Sequence, residues 1–408
     1  MTIYPHAEVA PLATTELRNR IEAELTGNIL PFWISHVTDE RRGGFHGALT
    51  NDLRALDEVP RSAVLCARIL WTYAAAYRAY GDRAYREMAR RAHDYLARAF
   101  WDAEHGGVYW LVDCDGAPVS ARKHCYAQAF AIYGLAEYYA ATGEEASLSM
   151  AQSLFELLEA HAHEPIGGGY IEGCAPDWGA LADMRLSDKE PNCRKSMNTL
   201  LHVMEAYTGL LRVWNEPRLR ARLRELIDIF FAHVIDPRTF HFRLFFDDAW
   251  RPLEASISYG HDIEGSWLLV EAAEALGSPA VLARARTTAV EMAWAVFAQG
   301  LEADGSLLYE SGASNPRSAD KHWWAHAEAL VGFYNAYQIS GQPHFARAAA
   351  GCWQYVEQRF VDRRHGEWYK VLNRQGMPYL DHYKAGPWEC PYHHARACLE
   401  MLRRLAAN

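Results

Sequence analysis

Apolar residues recur at three- and four-residue spacing along most of the chain, the period of a helix that buries one face. The pattern predicts twelve helices, near residues 14–36, 60–80, 83–100, 123–142, 146–162, 195–214, 217–234, 260–276, 278–298, 321–340, 343–360 and 391–406. ARILWTYAAAYRAYGD and AEALVGFYNAYQISGQ are the clearest cases, and each ends in a glycine able to take a left-handed cap.

A second pattern interrupts the first six times. DERRGGFHGAL (from Asp39), DAEHGGVYWLV (from Asp102), EPIGGGYIEG (from Glu164), DPRTFHFRLFF (from Asp236), EADGSLLYES (from Glu302) and DRRHGEWYKVL (from Asp362) share one form. Each sets an acid before a short turn and then alternates aromatic and polar residues, which predicts short strands or hairpins. The starts lie roughly 60 to 70 residues apart, room for two helices each. No helical hairpin can bury its apolar face alone, so six of them must close on one another. The predicted fold is all-α: an (α/α)6 barrel with short β-hairpins in the connecting loops. No Pro-, Ser- or Gly-rich linker divides the chain, so residues 1–408 are expected to form one domain. Its inner helices would direct their ends at a central funnel.

Composition narrows what that funnel holds. Half of the residues are apolar and 12% aromatic, with 14 tryptophans and 22 tyrosines, a surplus suited to flat ligands with polar rims such as sugars. The net charge of −10 and the lack of any Lys/Arg-rich block argue against a nucleic-acid footprint and favour a small neutral partner. MTIYPHAEVAPLATTEL has neither a basic nor an apolar leader region, and no run of about 18 uncharged apolar residues occurs, so a cytoplasmic protein without membrane partners is expected. The eight cysteines (66, 114, 125, 174, 193, 352, 390 and 398) form no C-x-x-C pair and are expected as buried free thiols. Monomer and homodimer are equally compatible with the pattern.

Three segments put a histidine at or near the start of a helix expected to be inner and odd-numbered. KSMNTLLHVMEAY carries Asn198, His202 and Glu205 on one face. SISYGHDIEGSWLL places His261 and Glu264 at i and i+3, and PYHHARACLEM places His393 behind Pro391. Arg68 stands in the apolar run CARILWTYAAAY, where a lone charge is costly unless it faces a polar cavity. Each residue alone fits a plain core role: a satisfied histidine, a buried ion pair for Arg68, packing for Trp324. Their recurrence at matching points of different repeats points to one cavity. Two histidines there suit proton transfer at neutral pH, with Arg68 and Asn198 able to stabilise an oxyanion on an adjacent carbonyl and Glu264 to hold the His261 ring. Two rivals compete. His202/Glu205 and His261/Glu264 are both H-x-x-E and could ligate a divalent cation if they faced each other, and Glu264, Glu310 and Glu328 could serve a glycosidase.

The segments SMNTLLHVME (Ser196 to Glu205), GHDIEGSWLL (Gly260 to Leu269), HWWAHAEALVGF (His322 to Phe333), WECPYH (Trp388 to His393) and RILWTYAAAYR (Arg68 to Arg78) resemble the N-acylglucosamine 2-epimerase superfamily. Within it the chain is most similar to the cellobiose 2-epimerases, over essentially its whole length. The resemblance implies that a reducing-end glucose opens, loses its C2 proton to one histidine, forms a cis-enediolate and is reprotonated on the opposite face by another. It implies His261 and His393 as the acid/base pair, with His202 assisting ring opening. Arg68 and Asn198 would bind the enediolate oxygens and Glu264 would orient His261. Trp324 and Trp388 would flank the sugar, with Tyr126, Tyr309, Glu310 and Glu328 in the lining. No metal or organic cofactor is implied. The chain departs from the family's pattern at Glu389, His394, Leu200, Glu190 and His326; none is a proposed proton carrier, and several are expected to reshape the pocket beyond the reacting ring and so bear on disaccharide specificity. The alternatives are the same chemistry on a free monosaccharide, aldose–ketose isomerisation, and, from other classes, a glycosidase or a sugar-binding toroid.

Overall fold

The structure, a computed structural model, describes residues 14–311 and 320–406. The first helix, α1, runs from Thr14–Glu24 through a π-turn at Leu25–Ile29 into Leu30–His36. Then follow α2 (Ala63–Tyr80), α3 (Arg83–Tyr95), α4 (Cys125–Thr142), α5 (Glu145–His161), α6 (Met197–Val213) and α7 (Pro217–Ile229). The last five are α8 (Tyr259–Leu276), α9 (Pro279–Gln299), α10 (Trp323–Ser340), α11 (Pro343–Tyr355) and α12 (Tyr392–Ala406). Each of α3, α7 and α11 ends in a further π-turn.

Helices α2, α4, α6, α8, α10 and α12 pack in sequence as an inner ring that α12 closes onto α2, and the others lie outside it. The inner ring is therefore the even-numbered set, not the odd-numbered one expected from the sequence, because the chain begins on an outer helix. The two rings differ in patterning as their places require. Inner helices are apolar nearly all round: in α2 every residue from Ala63 to Ala76 is buried. Outer α3 buries only Tyr85, Met88, Ala89, Ala92, His93 and Tyr95, one stripe at helical spacing. The arrangement is an (α/α)6 barrel. The glycine caps at Gly81 and Gly341 take φ of 70° and 69°.

The six acid-turn stretches form the short antiparallel bridges expected, from Thr38↔Phe45 to Val361↔Trp368. Past each turn the chain pairs with the two residues that enter the preceding inner helix: Arg61↔Val112, Lys123↔Cys174, Lys195↔Phe246, Ile257↔Ser311 and Lys321↔Leu372. A bridge between Leu49 and Ala385 closes the ring. Cations at these entries hold the repeat acids. Lys123 Nζ donates to Asp102 at 2.6 Å and Lys384 Nζ to Asp362 at 2.5 Å; Lys195 lies 3.1 Å from Glu164, and Arg61 and Lys321 pair with Asp39 and Glu302. The fourth repeat departs: its entry residue is Ile257, and Asp236 takes Arg243 instead. All eight cysteines are free, as expected, but Cys114 and Cys193 are only half-buried, Cys114 in the turn after the strand Leu111–Val112 and Cys193 in the loop before Lys195. No described helix is long and apolar enough to cross a membrane.

Candidate active site

The helix caps set a common register for the inner ring. Counting from Ser62, His124, Ser196, Ser258 and His322, the sixth residue on is Arg68, Phe130, His202, Glu264 and Glu328. Identical spacing on parallel helices puts these side chains in one layer across the barrel. Arg396 of α12 completes it: its Nη2 donates to Glu264 Oε1 at 2.7 Å and to Glu328 Oε1 at 2.6 Å, and its Nη1 donates to Glu205.

The histidines stand on this layer. His393 Nδ1 lies 2.7 Å from Glu328 Oε1 and 3.7 Å from Glu264 Oε1. His202 Nδ1 lies 2.9 Å from Glu205 Oε2, with its ring edge-on to Tyr126. His261 Nδ1 lies 2.7 Å from Ser258 Oγ. The indole of Trp324 sits between the outer two, its centroid 4.7 Å from the His261 ring and 5.5 Å from the His393 ring. Gly260 makes room for it, since a Cβ there would lie 2.6 Å from Trp324 Cη2. Arg68 Nη2 donates to the Tyr126 hydroxyl at 2.8 Å, and its guanidinium covers the Phe130 ring at 4.2 Å. Trp388 packs beside Tyr126 and Trp110 on that side. The Asn198 Oδ1 and Arg68 Nε atoms are buried without a protein partner, polar groups left for a ligand or water.

Burial and charge decide the protonation of this cluster. Three carboxylates share Arg396, so one of them is held back from ionising: Glu264 is pushed up to about 7 by burial first and by Glu328 second, against Arg396. Glu328 rises for the same first reason. Glu205, buried yet bonded by Arg396, His202 and Tyr392, falls below the ordinary value. Burial lowers His261 to about 3, with the His202 charge acting the same way. Burial, then Arg68 and Arg396, hold His393 well below its usual range. Both imidazoles are neutral bases at neutral pH.

Several expectations need correction. Glu264 does not hold the His261 ring; Arg396, arriving from α12, captures its carboxylate, and the group bonded to His261 is Ser258. Glu328, expected in the lining, is fully buried beside His393, where it also accepts from Trp267 Nε1. Among the described residues the two H-x-x-E pairs do not gather into one ligand group; Glu264 instead clusters with Glu328 and His393, and the guanidinium of Arg396 bridges the two carboxylates that a cation there would need. Tyr309 stacks on His322 and meets Trp324 edge-on, while Glu310 pairs with Ser258 in the short strand. Among the departures, Leu200 is plain core, and His326 is bonded on both ring nitrogens by Leu307 N–H and the His322 carbonyl. His394 lies 2.6 Å from Glu367, Glu389 accepts from Lys370, and Glu190 is pushed up to about 6 by burial. Sequence reasoning missed Arg396 and Ser258. Arg396 stands three residues after His393 on a helix with two further arginines, Arg403 and Arg404, so its charge did not stand out as that of Arg68 did; Ser258 carried no signal.

A family model described as N-acylglucosamine 2-epimerase (GlcNAc 2-epimerase) matches residues 43–397. The chain is 42% identical to a cellobiose 2-epimerase of Bacteroides fragilis over 95% of its length and 98% of that protein's. It is 35% identical to a cellobiose 2-epimerase of Dictyoglomus turgidum, over 95% and 99% of the two chains. The solved structure of the cellobiose 2-epimerase from Bacillus thermoamylovorans B4167 superposes with a TM-score of 0.91 at 36% identity, covering 96% of this chain and all of that one.

Proposed function

Because the chain belongs to the N-acylglucosamine 2-epimerase family, and is thereby a carbohydrate epimerase, we propose that it interconverts the reducing-end glucose and mannose of cellobiose and related β-1,4-linked disaccharides. His202 assists ring opening. One of His261 and His393 removes the C2 proton of the open-chain aldose, electron density moves onto the C1 oxygen, and the other histidine returns a proton to C2 on the opposite face of the cis-enediolate. Arg68 and Asn198 bind the developing oxyanion through their N–H donors; the buried Arg68 Nε lacks a protein partner and is free to donate, while the unpartnered Asn198 Oδ1 can accept from a sugar hydroxyl. Trp324 and Trp388 stack against the sugar from opposite sides of the barrel mouth. The whole of residues 1–408 serves this one site.

The observation that carries this reading is the pair of imidazoles packed against the same indole, each engaged at Nδ1 by a neighbour, which leaves Nε2 of both as the nitrogen for proton transfer. The substrate is argued from the relatives, several of which are cellobiose 2-epimerases covering nearly the full chain. Incubation with cellobiose, lactose, glucose and mannose in deuterium oxide, read by chromatography and mass, tests it. The expected result is the C2 epimer of cellobiose and lactose with one deuterium at C2. Epimer from glucose alone would move the assignment to monosaccharides, ketose as main product would make it an isomerase, and cleavage of the disaccharide would overturn it.

A further inference from the structure

Three inner helices carry a side-chain cap at the residue before their first turn, whereas His322 of α10 and Ser258 of α8 make none; among the serines at this position Ser258 is the exception. Ser62 Oγ accepts from the Val64 and Leu65 amides, and Ser196 Oγ accepts from the Thr199 amide at 3.1 Å. His124 Nδ1 caps α4 from the equivalent place. Ser258 occupies that position in the fourth repeat with extended backbone suited to a cap, φ −112° and ψ 99°, yet its side chain caps nothing. Its hydroxyl reaches instead to His261 Nδ1 at 2.7 Å, three residues on. A serine that forgoes the interaction its counterparts make, in favour of one imidazole, marks a local exception.

We propose that Ser258 is a positioning residue that accepts the Nδ1–H of His261, leaving Nε2 as the atom that exchanges a proton with C2. The inference rests on the proposed epimerase reading. The surroundings leave the task to Ser258. Among the described residues His261 has no carboxylate partner, because Glu264 is bonded to Arg396, and the ionisable group that bears on it is His202 of α6. On its open side lies Trp324, which fixes the plane of packing but offers no acceptor. Without the hydroxyl, nothing on α8 selects the tautomer, and an imidazole carrying its proton on Nε2 cannot abstract one. The entry residue before Ser258 is Ile257, where other repeats bury a cation, so no fixed positive charge stands at this entry to oppose the imidazolium that forms in turnover.

Ser258→Ala and Ser258→Thr, assayed beside wild type on cellobiose in deuterium oxide, test this. Ser258→Ala is expected to lose about ten- to a hundredfold in kcat with KM within about twofold, and Ser258→Thr to recover most of it. Exchange at C2 should slow for the epimer served by His261 and stay unchanged for the epimer served by His393. An alanine variant within about twofold of wild type, a threonine variant as poor as alanine, or an equal loss of exchange from both epimers would overturn the assignment. The tautomer of His261, read by nitrogen-15 NMR of histidine-labelled protein, needs no turnover. A His261 signal that stays in the Nδ1–H form in Ser258→Ala would also overturn it, whereas a wild type inactive on all sugars with the shift present would fault the epimerase reading alone.

Discussion

His261 and His393, the proposed acid/base pair, pack against one indole from different supports. His393 has Glu328 at 2.7 Å on its Nδ1, Glu264 at 3.7 Å, and Arg396 tying both carboxylates down. His261 has one hydroxyl. A carboxylate stabilises the imidazolium far more than a neutral hydroxyl does in a buried site. Arg68 and Arg396 oppose a charge on His393, so the order of the two bases turns on Glu328: with that carboxylate ionised, His393 is the better base and protonated His261 the stronger acid. A reversible epimerase needs each histidine in both roles, so this inequality falls on the two directions unequally. The equilibrium between epimers belongs to the sugars; the supports set which proton transfer is slower.

The largest effect follows from removing one histidine. His261→Asn and His393→Asn should each lower epimer formation by about 10²–10⁴-fold, because neither remaining base can reach the other face of C2. Each should keep exchange of the C2 hydrogen with solvent deuterium in one epimer, and the two variants should exchange opposite epimers. The better-supported base predicts a second inequality: exchange in His261→Asn, which retains His393, should be the faster. Mass spectrometry of recovered glucose- and mannose-ended disaccharide measures both. Exchange of both epimers by either variant would remove the two-base geometry.

A smaller loss should follow from weakening one support. Glu328→Gln keeps the shape and an oxygen for Arg396 but takes away the charge behind His393. A fall in kcat of about ten- to a hundredfold is expected, with KM little changed, since Glu328 is fully buried beside His393. The same substitution removes the second-largest influence on Glu264, whose carboxyl should then ionise at lower pH. Carboxyl infrared bands followed against pH would report that release, and an unmoved Glu264 would mean that burial alone sets its value.

Much of this was legible in the chain itself. The 3.6-residue period and the six acid-turn stretches fold into the barrel because each repeat carries the same instruction, and repetition makes it hard to misread. The inner and outer roles were assigned one helix out of step, although the all-round apolar pattern of α2 against the single stripe of α3 already separates the two rings. Short-range spacing also misled at His261. Glu264 stands one turn away, as i and i+3 require, but Arg396 arrives from 132 residues along the chain and takes its carboxylate. No pattern along α8 carries that contact. Conversely, the capping role of Ser62 and Ser196 was written in ordinary cap chemistry, and only the structure separates Ser258 from them.

The smallest effect is thermodynamic, and here the two supports differ in sign. Glu264, raised from 4.5 to about 7, binds more proton in the folded state across that interval, so its contribution to stability falls as pH rises through it. His261, lowered from 6.5 to about 3, binds less proton when folded, so its contribution is present above 6.5 and is lost as pH falls toward 3. Between about 4.5 and 6.5 the two oppose each other, each by at most about 1.4 kcal/mol per pH unit. Glu264→Gln removes only the first, so its stability should rise with pH more steeply than that of wild type. His261→Asn removes only the second and should tilt the profile the other way. Urea unfolding of the three proteins at several pH values from about 4.5 to 7 compares the slopes. Parallel profiles for wild type and Glu264→Gln would mean that Glu264 ionises in the folded protein much as it does in the unfolded chain, and the carboxylate support of His393 would then carry a full charge more than the buried layer is argued to hold.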